Sequence, residues 1–410
     1  MAPSLAPLIM CSVSRDPVIV VGAGIGGLTC ALALLLRGIE VEVYEQAPEL
    51  REIGAGVQIS ANGTRVLNAL GLERALEAWA VRPQSKEIRH WRSGRTWTLF
   101  DLGVVSEQRY GAPYIFIHRG DLHRLLADAV RVQKRDAIHL HARCVGVEQD
   151  SGGVTLRLED GRRARGRLLI GADGVHSPVR ASVFGAGRPE FTGCMAWRGV
   201  IPIERLAGGR MPLAGTNWIG PGRHVVHYPL RRAKLLNFVG VVERGDWLIE
   251  SWTAQGTRGE CLADFAGWHP DVRALIEAID APFKWALMAR SAMTRWSEGR
   301  VTLLGDACHA TLPFLAQGAA MAIEDAFVLA RTLAAHGEDH ATAFARYEAA
   351  RIARTTKVVD GSAANTKRFH NPRLADDTGA DDYIASEWSE DKIEQRYDWL
   401  FRYNALNIEI

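Results

Sequence analysis

Six cysteines (Cys11, Cys30, Cys144, Cys194, Cys261 and Cys308) are scattered singly through 410 residues, and no two form a C-x-x-C pair. A disulfide framework and a structural zinc site are therefore not expected, and a reducing cytoplasm fits this usage. A basic excess is also missing: 49 Lys and Arg face 47 Asp and Glu, a formal charge of +2. Such a balance argues against nucleic acid or an anionic membrane surface as partner. No apolar run approaches the roughly 18–20 residues that a membrane helix needs, so no integral membrane association is expected. Residues 1–16 include Leu8, Ile9 and Met10 without a basic segment before them, which reads as an extension and not a secretory signal. Internal repeats are absent. What remains is ordinary globular composition, 47% hydrophobic and 23% charged, on a chain long enough for two interlocked domains.

The first organised segment is P-V-I-V-V at 17–21, a β-branched run of the kind found in buried parallel strands. G-A-G-I-G-G follows at 22–27, then a helical L-T-C-A-L-A-L-L-L at 28–36, then I-E-V-E-V-Y-E at 39–45. This is a βαβ unit whose right-handed crossover makes its two strands neighbours. Gly22, Gly24 and Gly27 satisfy G-x-G-x-x-G between strand and helix. The first glycine permits the turn, the second admits a pyrophosphate, and the third lets helix and strand close up. The helix N-terminus supplies amide donors for the phosphates. Glu45, at the end of the second strand, is placed to accept from ribose hydroxyls. No second fingerprint and no C-x-x-x-x-C accompany the first, which favours one tightly held FAD over a two-nucleotide or disulfide reductase.

Similar apolar strands running into Gly/Asp turns recur at 167–174 and 300–307, and 119–130 reads as a helix capped by Asp121. Between them, R-H-V-V-H-Y-P-L at 223–230 and K-L-L-N-F-V-G-V-V at 234–242 alternate as strands. The expected fold is α/β: a Rossmann-type FAD-binding domain with a parallel sheet, a smaller mainly antiparallel substrate domain, and C-terminal helices. We place the FAD domain at 17–85, 109–190 and 285–365, the substrate sheet at 86–108 and 191–284, and a tail at 366–410. Aromatics of that tail (Trp388, Tyr397, Trp399, Phe401, Tyr403) are expected to dock on the body.

Three motifs in order carry a resemblance. G-A-G-I-G-G with Glu45, G-A-D-G-V-H-S-P-V-R at 171–180, and G-D-A-C-H-A-T-L-P at 305–313 resemble the single-component FAD-dependent aromatic hydroxylases, the family of p-hydroxybenzoate hydroxylase. The resemblance implies that Asp306 binds the ribityl chain, that Arg119 meets phosphate or ribityl oxygens, and that Asp173 serves FAD and a transient nicotinamide. For either aspartate alone, a turn after a strand is the plainer reading. The resemblance also implies that Gly318, Ala319 and Ala320 open a helix whose amides face the flavin pyrimidine. A reduced flavin is anionic, and a helix N-terminus favours negative charge. Gly26, Gln46, Gln58 and Pro313 join the cofactor-binding set by the same carry-over. The implied reaction uses NADH or NADPH and O2, passes through a flavin C4a-hydroperoxide, and hydroxylates a small aromatic acid. A homodimer is implied by the same resemblance.

A ring attacked by electrophilic oxygen must be electron-rich, so a base is expected near its hydroxyl, and histidine suits neutral pH. In a strand, His224, Val226 and Tyr228 share one face while His227 points away. That separation argues against a metal site from the two histidines, and no metal is expected. The His-x-x-x-Tyr pair resembles the subgroup of 3-hydroxybenzoate 6-hydroxylase and 6-hydroxynicotinate 3-monooxygenase, with salicylate hydroxylases nearby. It implies His224 as base, Tyr228 as substrate ligand and Gln317, in A-Q-G-A, as an orienting group. Where the nicotinate enzyme has histidines, this chain has Gln58 and Phe314, which weakens a pyridine reading. Arg198, Arg223 and Arg231 are candidate carboxylate binders, with surface pairing as the plainer role for each. Glu324 and Asp325 read as helix packing, and His309 as structural. The alternatives are a decarboxylating salicylate or hydroxynicotinate activity, and a flavin oxidoreductase that does not hydroxylate.

Overall fold

The computed structural model describes residues 16–50, 55–185, 187, 189–206, 208–209, 211–245 and 254–410. The N-terminal extension with Cys11, and Gly54, lie outside the described residues. Val18–Val21 is fully buried and pairs in parallel with Val41–Tyr44 on one side and Leu168–Gly171 on the other. The sheet runs Ser297–Glu298, Val301–Leu303, Leu168–Gly171, Val18–Val21, Val41–Tyr44, Ile138–His139, parallel except for its first, antiparallel strand. Two-sided burial explains the unbroken V-I-V-V, since helices cover both faces of a parallel sheet. Helix Ile25–Leu35 buries Leu28, Ala31, Leu32 and Leu34, each buried leucine contributing about 1.5–3 kcal/mol.

A second sheet of seven strands follows the order Phe283–Ala289, Glu190–Pro202, Leu235–Glu243, Arg223–Leu230, Ala214–Gly220, Ser85–His90, Thr96–Asp101. Every pairing is antiparallel except that of Ala214–Gly220 with Ser85–His90. One face packs Trp197, Trp218 and Phe238 against Phe265 and Val272 of the short helices Arg258–Asp264 and Pro270–Glu277 and the turn between them. The other face, with Ile219, Val241 and Ala196, meets Leu312, Phe314 and Phe369. That second contact brings the substrate sheet onto the motif loops. A separate antiparallel sheet of Cys144–Asp150, Gly153–Leu158 and Arg163–Gly166, unforeseen from sequence, edges the cofactor domain.

One helical segment divides, and one local expectation changes. The helical stretch from 318 is two helices, Gly318–His336 and His340–Phe369, split where Gly337 adopts φ +58° and Asp339 accepts from the Thr342 amide. Asp121 is not a cap: His118 holds that position, and Asp121 lies in the first turn of Arg119–Gln133. There its carboxylate accepts two bonds from Arg231, at 2.9 and 3.0 Å. A first-turn carboxylate already suits the helix dipole, and the guanidinium offers a bidentate partner that a capping amide does not. The tail forms helices Asp377–Glu387 and Glu390–Arg402 and docks, with Trp388 stacked on Phe369 at 5.8 Å. No helix among the described residues is long and apolar enough to cross a membrane.

Candidate active site

The glycine loop is built to steric limits. Gly22 has φ +100°, and a Cβ there would sit 2.5 Å from the Ala172 carbonyl oxygen. A Cβ on Gly27 would approach Gly22 O to 1.9 Å, and one on Gly26 would reach Leu304 at 2.8 Å. Gly24 differs: among the described residues, a side-chain carbon there would meet no atom within 4 Å. The turn is thus closed on three sides and open at the position where a pyrophosphate must approach. Helix Ile25–Leu35 starts at Gly24 and helix Gly318–His336 at Gln317, and neither start is capped by a side chain. Both leave amide donors for an anionic ligand. Ala316, just before the second helix, holds φ +54° without being glycine, a backbone cost of the kind that persists at ligand sites.

Around this loop the acidic motif residues divide their work. Glu45 accepts from the Ala23 amide at 2.7 Å and the Ala47 amide at 2.9 Å, so it holds the glycine loop in place. Gln46 beside it is exposed. Asp173 accepts from Val179 N at 3.0 Å, while its buried Oδ1 has no hydrogen-bond partner among the described residues. Burial raises its pKa, opposed by Ser177 and the Val179 amide. Asp306 is exposed at the start of the short helix Asp306–His309. Desolvation raises its pKa, and the charges of His309 and Arg119 oppose that rise. Arg119 and Asp306, 187 residues apart in sequence, are thereby electrostatic neighbours. An open Gly24, an orphaned Asp173 oxygen, an exposed Asp306 and two uncapped helix starts fit FAD.

On the substrate side, His224 is buried, and its ring lies 4.9 Å from Phe314 and 5.2 Å from Phe369. His227 faces the opposite way, accepting from Trp218 Nε1 at 3.0 Å, with its pKa lowered to about 3 by burial, Arg89 and Lys86. The two histidines therefore point apart, and the described residues contain no cluster able to hold a metal. Tyr228 is buried against Phe116, ring centroids 4.8 Å apart, and burial raises its phenol pKa. It abuts Gly56, whose amide donates to Asn237 Oδ1 at 2.7 Å. A Cβ on Gly56 would lie 2.4 Å from Tyr228 Cε2 and 2.8 Å from its hydroxyl. We expect Gly56→Ala to displace the tyrosine, raising KM for the aromatic substrate with FAD retained; equilibrium titration and steady-state kinetics check this.

Gln58 and Gln317 sit differently from expectation. The Gln58 carbonyl accepts from Tyr114 Oη at 2.9 Å and Lys86 Nζ at 3.2 Å. It is turned to the substrate sheet, at the seam between domains. Both ends of the Gln317 amide are used inside the protein: Oε1 accepts from Asn62 at 3.0 Å and Nε2 donates to Ser60 at 2.9 Å. The structure gives it a scaffold contact at the start of helix Gly318–His336. Pro313 begins a short 3-10 turn that leads into that helix.

Beneath lies a buried ion network. Arg351 reaches Glu324 and Asp325, each at 2.7 Å, Arg354 reaches Glu324 at 2.8 Å, and His309 reaches Asp325 at 2.6 Å. Burial alone would raise both carboxyls, but Arg354 and Arg351 hold Glu324 below its usual range, as His309 and Arg351 do Asp325. Removing one partner from such a network is costly because a charge is left buried. Its place is structural: Asp325 also accepts from the Gly305 amide at 3.1 Å, fixing the loop that presents Asp306.

Sequence reading missed Lys86 entirely. Its aliphatic stem crosses Gly215, where a Cβ would lie 3.3 Å from Lys86 Cδ and 2.9 Å from Phe116. Desolvation lowers its pKa to about 8, and no carboxylate among the described residues pairs with it. Of the arginines considered, Arg231 is taken by Asp121, Arg198 lies over Trp285 at 5.6 Å, and Arg223 alternates to the face away from His224. The hollow lined by Asp391, Glu394, Asp398 and Trp399 is acidic, lies on the tail, and shares no residue with this site.

A strand–glycine loop–helix unit, two acidic loop motifs and a substrate sheet facing them define an FAD-binding flavoprotein. Residues 15–362 match the family described as FAD binding domain, and the chain belongs to it. It is 41% identical over 361 residues, 88% of this chain and 90% of the relative, to a 3-amino-4-hydroxybenzoate 2-monooxygenase of Streptomyces platensis. It is 38% identical over 358 residues, 86% and 92% of the two chains, to a 6-hydroxynicotinate 3-monooxygenase of Pseudomonas fluorescens. Klebsiella pneumoniae HpxO, solved with FAD and uric acid, superposes with a TM-score of 0.81 at 30% identity, covering 96% of this chain and 97% of that one. The protein is a flavin-dependent aromatic monooxygenase.

Proposed function

We propose that the chain hydroxylates a small aromatic carboxylic acid that already carries a ring hydroxyl, of the 3-hydroxybenzoate type, using NADH or NADPH and O2. The observation that carries this reading is His224: a buried imidazole on the sheet face toward the motif loops, its Nε2 without a hydrogen-bond partner among the described residues. Burial and the neighbouring His370 keep its pKa well below 6.5, so it is neutral at neutral pH and able to accept the ring proton. The names of both relatives describe aromatic acids with a ring hydroxyl, which supports the substrate class. The apolar Phe314 beside His224 favours a benzene ring over a pyridine.

Bound FAD supplies the activated oxygen. The amides at Gly24 and at the Gly318 helix start, with Arg119, Asp173 and Asp306, hold it. His224 takes the hydroxyl proton, and Tyr228, pinned by Phe116 and Gly56, bounds the ring. Phe314, Phe369 and the docked tail keep water from the reacting centre, where it would divert the oxygen. The carboxylate is assigned to Lys86, which is desolvated and has no acidic partner among the described residues.

Two measurements test this. A panel of hydroxybenzoates and hydroxypyridine acids, scored by product identity, is expected to give a ring-hydroxylated benzoate; nicotinamide oxidation without hydroxylated product from any member would refute the reading. Second, ionised Lys86 is fully present below about pH 8 and is lost above it, so the Kd of the acid is expected to rise as pH passes that value. Lys86→Met is expected to weaken binding by about 2 kcal/mol or more and to flatten the profile in isothermal titration.

A further inference from the structure

His224 is too deeply buried to hold a charge. A phenol proton delivered to it would create a cation beside a second desolvated histidine, and both imidazoles are depressed by burial. The proton must therefore leave, and the structure contains a path. His224 Nδ1 lies 2.7 Å from His370 Nε2, and His370 Nδ1 lies 2.7 Å from Glu243 Oε1. His224 and His370 are buried, whereas the Glu243 side chain is 51% exposed. Three groups from two strands and a helix end thus run from the reacting centre to solvent. We propose that His370 and Glu243 form a proton exit for His224, a reading that rests on His224 being the base.

The tautomers follow from the partners. Glu243 is an acceptor, so His370 carries its proton on Nδ1 and accepts at Nε2. His224 then donates from Nδ1, which leaves Nε2 bare and basic. When the substrate O–H breaks, an N–H forms at His224 Nε2. The Nδ1 proton of His224 passes to His370 Nε2, and the Nδ1 proton of His370 passes to Glu243 and on to water. No net charge stays in the buried pair. Return of a proton to the product along the same path restores both tautomers. His370 also caps the C-terminus of helix His340–Phe369, its amide bonded to Thr366 O at 3.0 Å, and the negative end of the helix dipole stabilises a passing imidazolium. Among the described residues, the titratable groups facing His224 and His370 are each other and Glu243; the Cys194 thiol also lies near Glu243 and is raised chiefly by burial.

The test uses the FAD-loaded enzyme and 3-hydroxy-4-nitrobenzoate, whose phenolate absorbs visible light, in a stopped-flow pH jump. His370→Asn is expected to slow phenolate formation about 10²-fold with FAD content and probe affinity unchanged, and added imidazole to restore the rate. Glu243→Gln keeps an acceptor for His370 but passes no proton, and is expected to be slow as well. This exposed position decides the matter if His370→Asn does not fold. A wild-type rate in either variant overturns the exit, as does a loss in His370→Asn that imidazole does not restore. His224→Asn separates the two claims. If it is slow while the others are fast, the base stands and the exit falls. If it ionises the probe at the wild-type rate, the base reading fails and the exit with it.

Discussion

Gly27→Ala is expected to yield a protein that retains no FAD and unfolds at markedly lower temperature. The added carbon would sit 1.9 Å from Gly22 O and 3.3 Å from Ala172 Cβ. Backbone on one strand end and a packed side chain leave nowhere to move, so the helix must shift off the sheet at a cost of about 3 kcal/mol or more. Gly24→Ala makes the control, because its new carbon meets no atom of the described residues within 4 Å. That variant is expected to keep its melting temperature and to lose FAD affinity alone. Thermal melts of the apoprotein and flavin absorbance after gel filtration distinguish the two. Equal stability in both variants would contradict the steric account of the loop.

His224→Asn is expected to lower the hydroxylation rate by about 10²–10⁴ while FAD binding is unchanged. The ring contacts of His224 are with Phe314, Phe369 and His370 and not with the glycine loop, so its loss would remove the proposed base and leave the cofactor loop in place. Nicotinamide oxidation should continue, uncoupled from product. The comparison is rate of product against rate of nicotinamide loss, measured on the same sample. Parallel losses in both would place His224 in cofactor reduction or in folding.

What could be read from sequence was what neighbours in sequence decide. The glycine turn, its flanking strand and helix, and the Gly/Asp loops at 171 and 305 carry their signals within about ten residues, because strand and helix periodicity and turn sterics are local. His224 and Tyr228 shared a face for the same reason. Residues defined by tertiary pairing were invisible. His370 reaches His224 across 146 positions, and nothing in R-F-H-N-P marks it. Lys86 stands in S-K-E-I-R-H, which reads as a solvated strand face until Gly215 and Gln58 are seen around it. Asp121 looked like a cap because only the chain context of Arg231 reveals the stronger partner. Gln317 had the expected position, but Asn62 and Ser60 arrive from 255 and 257 residues away and occupy its amide.

The central claim is that this chain inserts an oxygen atom into an aromatic acid whose hydroxyl is ionised at His224. A single-turnover reaction with 18O2, reduced enzyme and the best-bound hydroxybenzoate, analysed by product mass, tests it most directly. The account predicts one labelled oxygen on the ring in stoichiometric yield from the wild-type enzyme and nearly none from His224→Asn. Unlabelled substrate recovered from the wild-type enzyme, with hydrogen peroxide as the sole oxygen product, would contradict it.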